Sequence, residues 1–276
     1  YIYLPNGDLI SPFELQPIEG HTPKNALTLW YTDAASNAAV GDQWMEYSLP
    51  IGNGQLGASI FGGVAQEQVQ FNEKTLWSGP ANVVGAASGN RTFMNFGWLS
   101  IENREATLRE EGATDYVRYL DIKEGIAGVS FKNANGTKQT RKYFSSAPDQ
   151  VIAGQYKSEG EDKLNLVFSL EPGSSINASK VVYEGNTASF SGAMTVMYAA
   201  RLHVVADDAA EITATPAGIS VKNATEVTFY LKGGTNFNGD MKALNTYFIN
   251  ETVADLNTRM KTEIEKAIAK GFDAIE

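Results

Sequence analysis

The stretch IGNGQLGASIFGGV, Ile51–Val64, contains Gly52-x-Gly54-x-x-Gly57, the glycine spacing of a dinucleotide-binding loop. That loop needs a buried strand before it, a helix after it, and an acid about 20 residues further on. The context here is different. WMEYSLP precedes it, and Pro50 is a poor last residue for a central strand. After Gly57 no helical stripe follows. Gly62-Gly63 would break a helix and suits a hairpin, while Ala58, Ile60, Val69 and Phe71 fit paired strands. The glycines are therefore read as tight turns and close backbone approach at a sheet edge, with Asn53-Gly54 itself a turn dipeptide.

Working outward, the same strand rhythm holds. LNLVFSL puts Leu164, Leu166, Phe168 and Leu170 on one face at a period of two. VSFKNANGTKQTRKYF reads as a hairpin turning around Asn133–Gly136. Four further runs, Thr195–Ala206, Glu211–Thr215, Gly218–Val221 and Glu226–Gly234, follow at short spacing. This density predicts a mainly β fold, a large antiparallel β-sandwich. The pattern changes at Thr252. Val253, Leu256, Met260, Ile264, Ile268 and Phe272 recur at helical intervals, with Thr252 and Asp255 as a capping box and Gly271 as a stop. The expected organisation is a sandwich over 1–250, with 1–28 as a lead-in segment, and a helical linker over 251–276. The apolar stripe must either lie back on the sandwich or meet something beyond Glu276; partial exposure in this chain is the expectation.

Composition removes several function classes. The chain has 276 residues, 43% of them hydrophobic, and a net charge of -10. An acidic balance argues against nucleic acid and anionic membrane as partners. No run of about 18 apolar residues occurs. Without cysteine and with only His21 and His203, thiolate chemistry is impossible, and metal or triad chemistry has few candidates. No cofactor or metal is expected.

The wider segment Leu29–Pro80 resembles the opening of glycoside hydrolase family 95, whose activities centre on α-L-fucosidase. The residues that carry the resemblance are Leu29-Trp30-Tyr31, Trp44, Glu46, Leu49–Ala58, Phe61-Gly62-Gly63, Asn72-Glu73 and Thr75–Gly79. Thr114–Gln155 and GGTNFNG, Gly233–Gly239, are similar to later stretches of that family in the same order. The chain departs from the pattern in three places. Its Ala81–Leu99 gap is short, Trp98 stands where an acid is usual, and Ser48 replaces alanine. The resemblance implies an N-terminal sandwich ahead of a helical linker and an (α/α)6 catalytic barrel. The carboxylates of inverting hydrolysis would lie in that barrel. No catalytic residue is therefore assigned here, and this stretch by itself is expected to be inactive. The barrel and, through it, fucosylated or related glycans would be the partners, in the periplasm or outside the cell. A free-standing carbohydrate-binding sandwich is the alternative.

Four residues are candidate contacts at a substrate-pocket rim: Asn53, Asn72, Glu73 and Trp77. Tryptophan offers a plate to the C–H face of a pyranose, and amides and carboxylates bond hydroxyls. Each has a plainer reading. Asn53 can simply turn the chain, Glu73 can cap a turn or pair with a cation, and Trp77 can pack inside. Trp30, Trp44 and Trp98 are expected as core or interface anchors, His203 as a hydrogen-bonded structural histidine, Asp207-Asp208 as a turn, and Glu110-Glu111 as an exposed loop.

Overall fold

The computed structural model describes residues 2–3, 9–10, 27–35, 44–78, 92–104, 112–238 and 248–276. His21, Glu110 and Glu111 lie outside them. In chain order, β1 (Ile2–Tyr3) and β2 (Leu9–Ile10) pair as a separate ribbon. Then come β3 (Thr28–Tyr31), the short helix α1 (Trp44–Tyr47), β4 (Leu49–Gly52), β5 (Leu56–Ile60), β6 (Gln66–Glu73) and β7 (Gly97–Asn103). A meander of β8 (Thr114–Asp121), β9 (Ile126–Lys132), β10 (Lys138–Ser146) and β11 (Val151–Glu159) follows. β12 (Leu164–Pro172), β13 (Val182–Glu184), β14 (Thr187–Ala193) and β15 (Met197–Ala206) lead to β16 (Glu211–Thr215), β17 (Gly218–Ala224) and β18 (Glu226–Thr235). Helices α2 (Val253–Lys270) and α3 (Phe272–Ile275) close the chain.

Two sheets face each other. One has nine strands in the order β13-β14-β15-β18-β11-β10-β9-β8-β3; the other has seven, β16-β17-β12-β7-β6-β5-β4. Every pairing in both is antiparallel. That excludes the βαβ setting of a nucleotide loop. Ile51–Phe71 forms β4, β5 and the start of β6 with no helix after Gly57. Pro50 is tolerated because β4 is an edge strand, bonded only to β5. The β4–β5 turn holds Gly54 at φ 84°, a left-handed conformation that glycine adopts without steric cost.

The core fills the space between the sheets by alternation. Leu164, Leu166, Phe168 and Leu170 of β12 point in, as the sequence predicts, and meet Phe131, Tyr156 and Phe229 from the facing sheet. Alternation fails in β18, which is buried at nine of its ten positions. The cause is a third layer: α2 lies across the outer face of β15 and β18. Leu256 and Met260 pack on Ala199, while Ile264, Ala267, Phe272 and Ile275 pack on Phe144, Val151 and Tyr230. The Gly233-Gly234 pair lets β18 be squeezed from both sides. A Cβ at Gly234 would sit 2.7 Å from Met260 Sδ, and one at Gly233 would sit 3.2 Å from the Phe96 ring. The helical stripe lies back on the sandwich, and its expected partial exposure is confined to its ends. Leu256, Met260 and Ile264 are fully covered by the chain's own sheet, and only Val253 and Ile268 remain half-buried. The capping box is present: Thr252 Oγ1 accepts the Asp255 N–H at 3.2 Å, and the Asp255 carboxylate accepts the Thr252 N–H at 2.9 Å. Gly271 ends the helix at φ 84°.

One buried ion pair crosses the sandwich. Glu67 of β6 and Arg141 of β10 are 3.4 Å apart and shut off from solvent. Glu67 Oε1 accepts the N–H groups of Phe61 (3.1 Å), Gly62 (2.7 Å) and Gln68 (3.1 Å), and Oε2 accepts the Tyr143 hydroxyl (2.9 Å). Arg141 donates to the carbonyls of Gly63 and, at 2.7 Å, Val64, and its guanidinium stacks over Tyr156 and Phe131. Burial raises the Glu67 pKa, with Arg141 and the donors pulling against it. Burial also disfavours the Arg141 charge, but the facing oxygens of Tyr156, Tyr143 and Glu67 outweigh this and raise its pKa.

Truncating the helix–sheet contact should release α2 without unfolding the sandwich. Met260→Ala is expected to cost about 2–5 kcal/mol, the range for emptying a buried methionine site, and to speed hydrogen exchange over residues 253–270 ahead of β9–β11. Equal acceleration across all strands would contradict a separable third layer.

Candidate functional site

Three of the motif stretches converge on one cleft of about 760 Å³. Gln55 comes from the β4–β5 turn, Thr75 from the loop after β6, and Gly233–Thr235 with Phe237 from the end of β18. The fourth wall is α2, through Arg259, Met260 and Glu263. Each loop is held by polar contacts. Asn53 Oδ1 accepts the N–H groups of Gln55 (2.9 Å) and Leu56 (2.7 Å), and its Nδ2 donates to the Ser146 carbonyl on the opposite sheet (2.8 Å). Asn53 is thus a turn former and a staple between sheets.

Glu73 is 1% exposed. Its carboxylate accepts the Thr75 N–H (2.9 Å), the Thr75 hydroxyl (2.6 Å) and the Gln55 amide. It therefore caps the 73–76 turn and ties that turn to the Asn53 hairpin; it does not face a ligand directly. The Thr75 hydroxyl meets that of Thr235 at 2.5 Å. From there the chain of contacts reaches α2, because Arg259 donates to the Thr235 carbonyl at 3.0 Å and clasps Glu251 at 2.7 and 3.2 Å. Lys232, only 5% exposed at its side chain, sits 2.9 Å from Glu263 and donates to the Gln150 carbonyl at 2.7 Å. Burial lowers the Lys232 pKa against the pull of Glu263. Burial raises that of Glu73 against its hydrogen bonds from Thr75 and Gln55.

The remaining candidates separate. Trp77 does not pack inside: it is 43% exposed, lies 5.3 Å from the Phe93 ring, and donates its indole N–H to the Lys74 carbonyl at 2.7 Å. Phe93 and Phe237 are also exposed. Asn72 is half-buried on the outer face of the seven-stranded sheet, where it accepts the Phe96 N–H at 2.8 Å. It points away from Glu73 because strand neighbours alternate. Trp30 is half-buried on edge strand β3 and Trp44 opens α1. Trp98 lies half-buried on the outer sheet face, outside the core, so of its expected core or interface role only the interface part is left. His203 bonds Asn186 at 2.9 Å, and Asp207 clasps the Thr225 and Glu226 N–H groups at 2.5 and 2.8 Å, so both are structural.

Sequence reading missed Glu67, Arg141 and Lys232. The signal for Glu67 was present: it shares the phase of Val69 and Phe71 along β6, so alternation alone sends it and Glu73 inward.

The raised Glu73 pKa fixes a sign. Between the ordinary glutamate value, 4.5, and the raised folded value, the folded chain binds more protons than the unfolded one. Its contribution to stability falls as pH rises through that window. Glu73→Gln is expected to flatten the fall in unfolding free energy as pH rises above 4.5, read from urea titrations across pH. An unchanged slope would contradict a buried, proton-retaining carboxyl.

Comparison with known proteins gives two matches. The family model described as "Glycosyl hydrolase family 65, N-terminal domain" matches residues 29–92 and 81–240. Alpha-L-fucosidase 2 of Arabidopsis thaliana is 27% identical over 154 residues, 45% of this chain and 18% of that protein. The chain thus matches less than a fifth of that relative's length. Both matches agree with the glycoside hydrolase resemblance carried by the motifs. The chain belongs to the glycosyl hydrolase family 65 N-terminal domain family and is an N-terminal β-sandwich domain of a glycoside hydrolase.

Proposed function

We propose that this domain is non-catalytic, buttresses the barrel of an inverting, α-L-fucosidase-like hydrolase, and lends loops to its pocket rim. The observation that carries the proposal is the convergence of Gln55, Thr75, Gly233–Thr235, Phe237 and α2 on one cleft. The buried contacts of Asn53 and Glu73 there fix loops whose tips present Trp77 and Phe237 to solvent. Exposed aromatics beside a polar rim suit a contact face shared with another domain. Fucosylated or related glycans would be met through the barrel, in the periplasm or outside the cell. In this reading Trp77 contributes the sugar-facing or barrel-facing plate, Asn53 has one amide N–H left to offer among the described residues, and Glu73 acts as a positioning residue.

A second reading has its own support. The chain covers the middle of its helical stripe, Leu256 to Ile264, with its own sheet, which suits a self-contained carbohydrate-binding module. The two are separated by a longer protein that carries these residues ahead of a barrel. There, Trp77→Ala or Phe237→Ala is expected to lower kcat/KM on an aryl α-L-fucoside about tenfold, equivalent to about 1.4 kcal/mol of transition-state stabilisation, with thermal stability unchanged. Residues 1–276 alone are expected to turn over none. Turnover by the isolated chain, or unchanged kcat/KM in both variants, would overturn the proposal.

A further inference from the structure

The outer face of the seven-stranded sheet forms a second surface of a different character. α2 covers the nine-stranded sheet, whereas this face carries a groove of about 350 Å³ lined by Phe61, Gln66, Gln68, Trp98, Ser100 and Glu171 among others. Register places the groove. Trp98 on β7 is directly opposite Glu171 on β12, and Ser100 is opposite Gln68 on β6. Side chains opposed in this way stand about 4.5–5.5 Å apart at Cβ on one face. The indole rests against the Phe61 ring at 6.1 Å, which fixes the plane of the plate. Gln66 donates to the Ser100 hydroxyl at 2.9 Å. The Gln68 amide and the exposed Glu171 carboxylate make no side-chain hydrogen bond or ion pair within the described residues.

We infer that this groove binds a neutral oligosaccharide, separately from the cleft. A pyranose has one apolar C–H face and an equatorial belt of hydroxyls. A fixed indole plate matches the first, and amides, a serine hydroxyl and one carboxylate match the second. Of the residues named, only Glu171 is charged, and among the described residues no cation lines the groove. An anionic sugar would meet repulsion from Glu171 and from the net charge of -10. The groove volume falls in the range of small-ligand sites, about 300–1,000 Å³.

Saturation-transfer NMR tests this on the chain itself, with maltotetraose, cellotetraose and a xyloglucan heptasaccharide as neutral probes, and trigalacturonate and choline as charged ones. At least one neutral probe is expected to show transfer to its ring C–H protons. Trp98→Ala should weaken that binding about tenfold, the scale of one lost aromatic contact. Glu171→Gln, at an exposed position, should also weaken it, and Trp77→Ala should leave it intact. Transfer to none of the neutral probes, binding of choline or trigalacturonate only, or equal binding by wild type, Trp98→Ala and Glu171→Gln would overturn the inference. Loss in Trp77→Ala alone would move sugar binding to the cleft and overturn it as well.

Discussion

The buried Glu67–Arg141 pair is the contact on which the other features depend. Removing two charges from water is costly unless each is paired and its remaining valences are filled. Here four donors besides Arg141 converge on Glu67, and Arg141 is matched by two loop carbonyls and two aromatic faces, with its Nε–H alone left without a hydrogen-bond partner. The groups it recruits, Phe61 to Val64, are the last residues of the Ile51–Val64 stretch. The other end of that stretch is held by the same strand: Asn53 reaches the Ser146 carbonyl, five residues along β10 from Arg141. The hairpin β4–β5 is thus fastened to the opposite sheet at both ends. Gln55, carried on its turn, is held where Glu73 can accept from it.

That fastening explains why a glycine-rich stretch can be rigid. The nucleotide pattern in it is a coincidence of turn residues. Gly54 serves a hairpin turn, and Gly62 presents its N–H to a buried carboxylate. From the hairpin, contacts run through Glu73, Thr75 and Thr235 to Arg259 on α2. Sandwich and helix therefore share one polar chain along the cleft, in addition to the apolar contact of Leu256 and Met260 with β15. The two faces of the molecule serve different chemistry. The cleft is crowded with internally matched charges and edged by exposed aromatics, as a domain contact needs. The seven-stranded sheet's outer face is nearly uncharged in its groove and carries amides around one indole.

Much of the fold was legible because period two and turn chemistry are local. β12, the β9–β10 hairpin, the capping box and the absence of a helix after Gly57 all follow from spacing. What was not legible depended on layers meeting. The burial of β18 on both faces follows from α2 folding back, which no local pattern states, although Gly233-Gly234 marks the close approach. The candidate residues were legible as a group but not in their roles. Asn53 and Glu73 spend their hydrogen bonds inside the protein, Asn72 turns to the other face, and Trp77 remains outside. Alternation along β6 separates Glu73 from Asn72, whereas the fates of Asn53 and Trp77 depend on what their loops meet, the Ser146 carbonyl for one and Phe93 for the other.

Arg141, through Glu67, fastens the signature hairpin to the opposite sheet. Residue-resolved hydrogen exchange on Arg141→Met tests it most directly, alongside urea unfolding. The expected result is a loss of about 3–5 kcal/mol, as for breaking one partner of a buried pair, with the amides of Phe61, Gly62 and the 53–56 turn losing protection before those of β9–β11. Unchanged protection at those amides, with stability within about 0.5 kcal/mol of the parent as for an ordinary surface change, would contradict it.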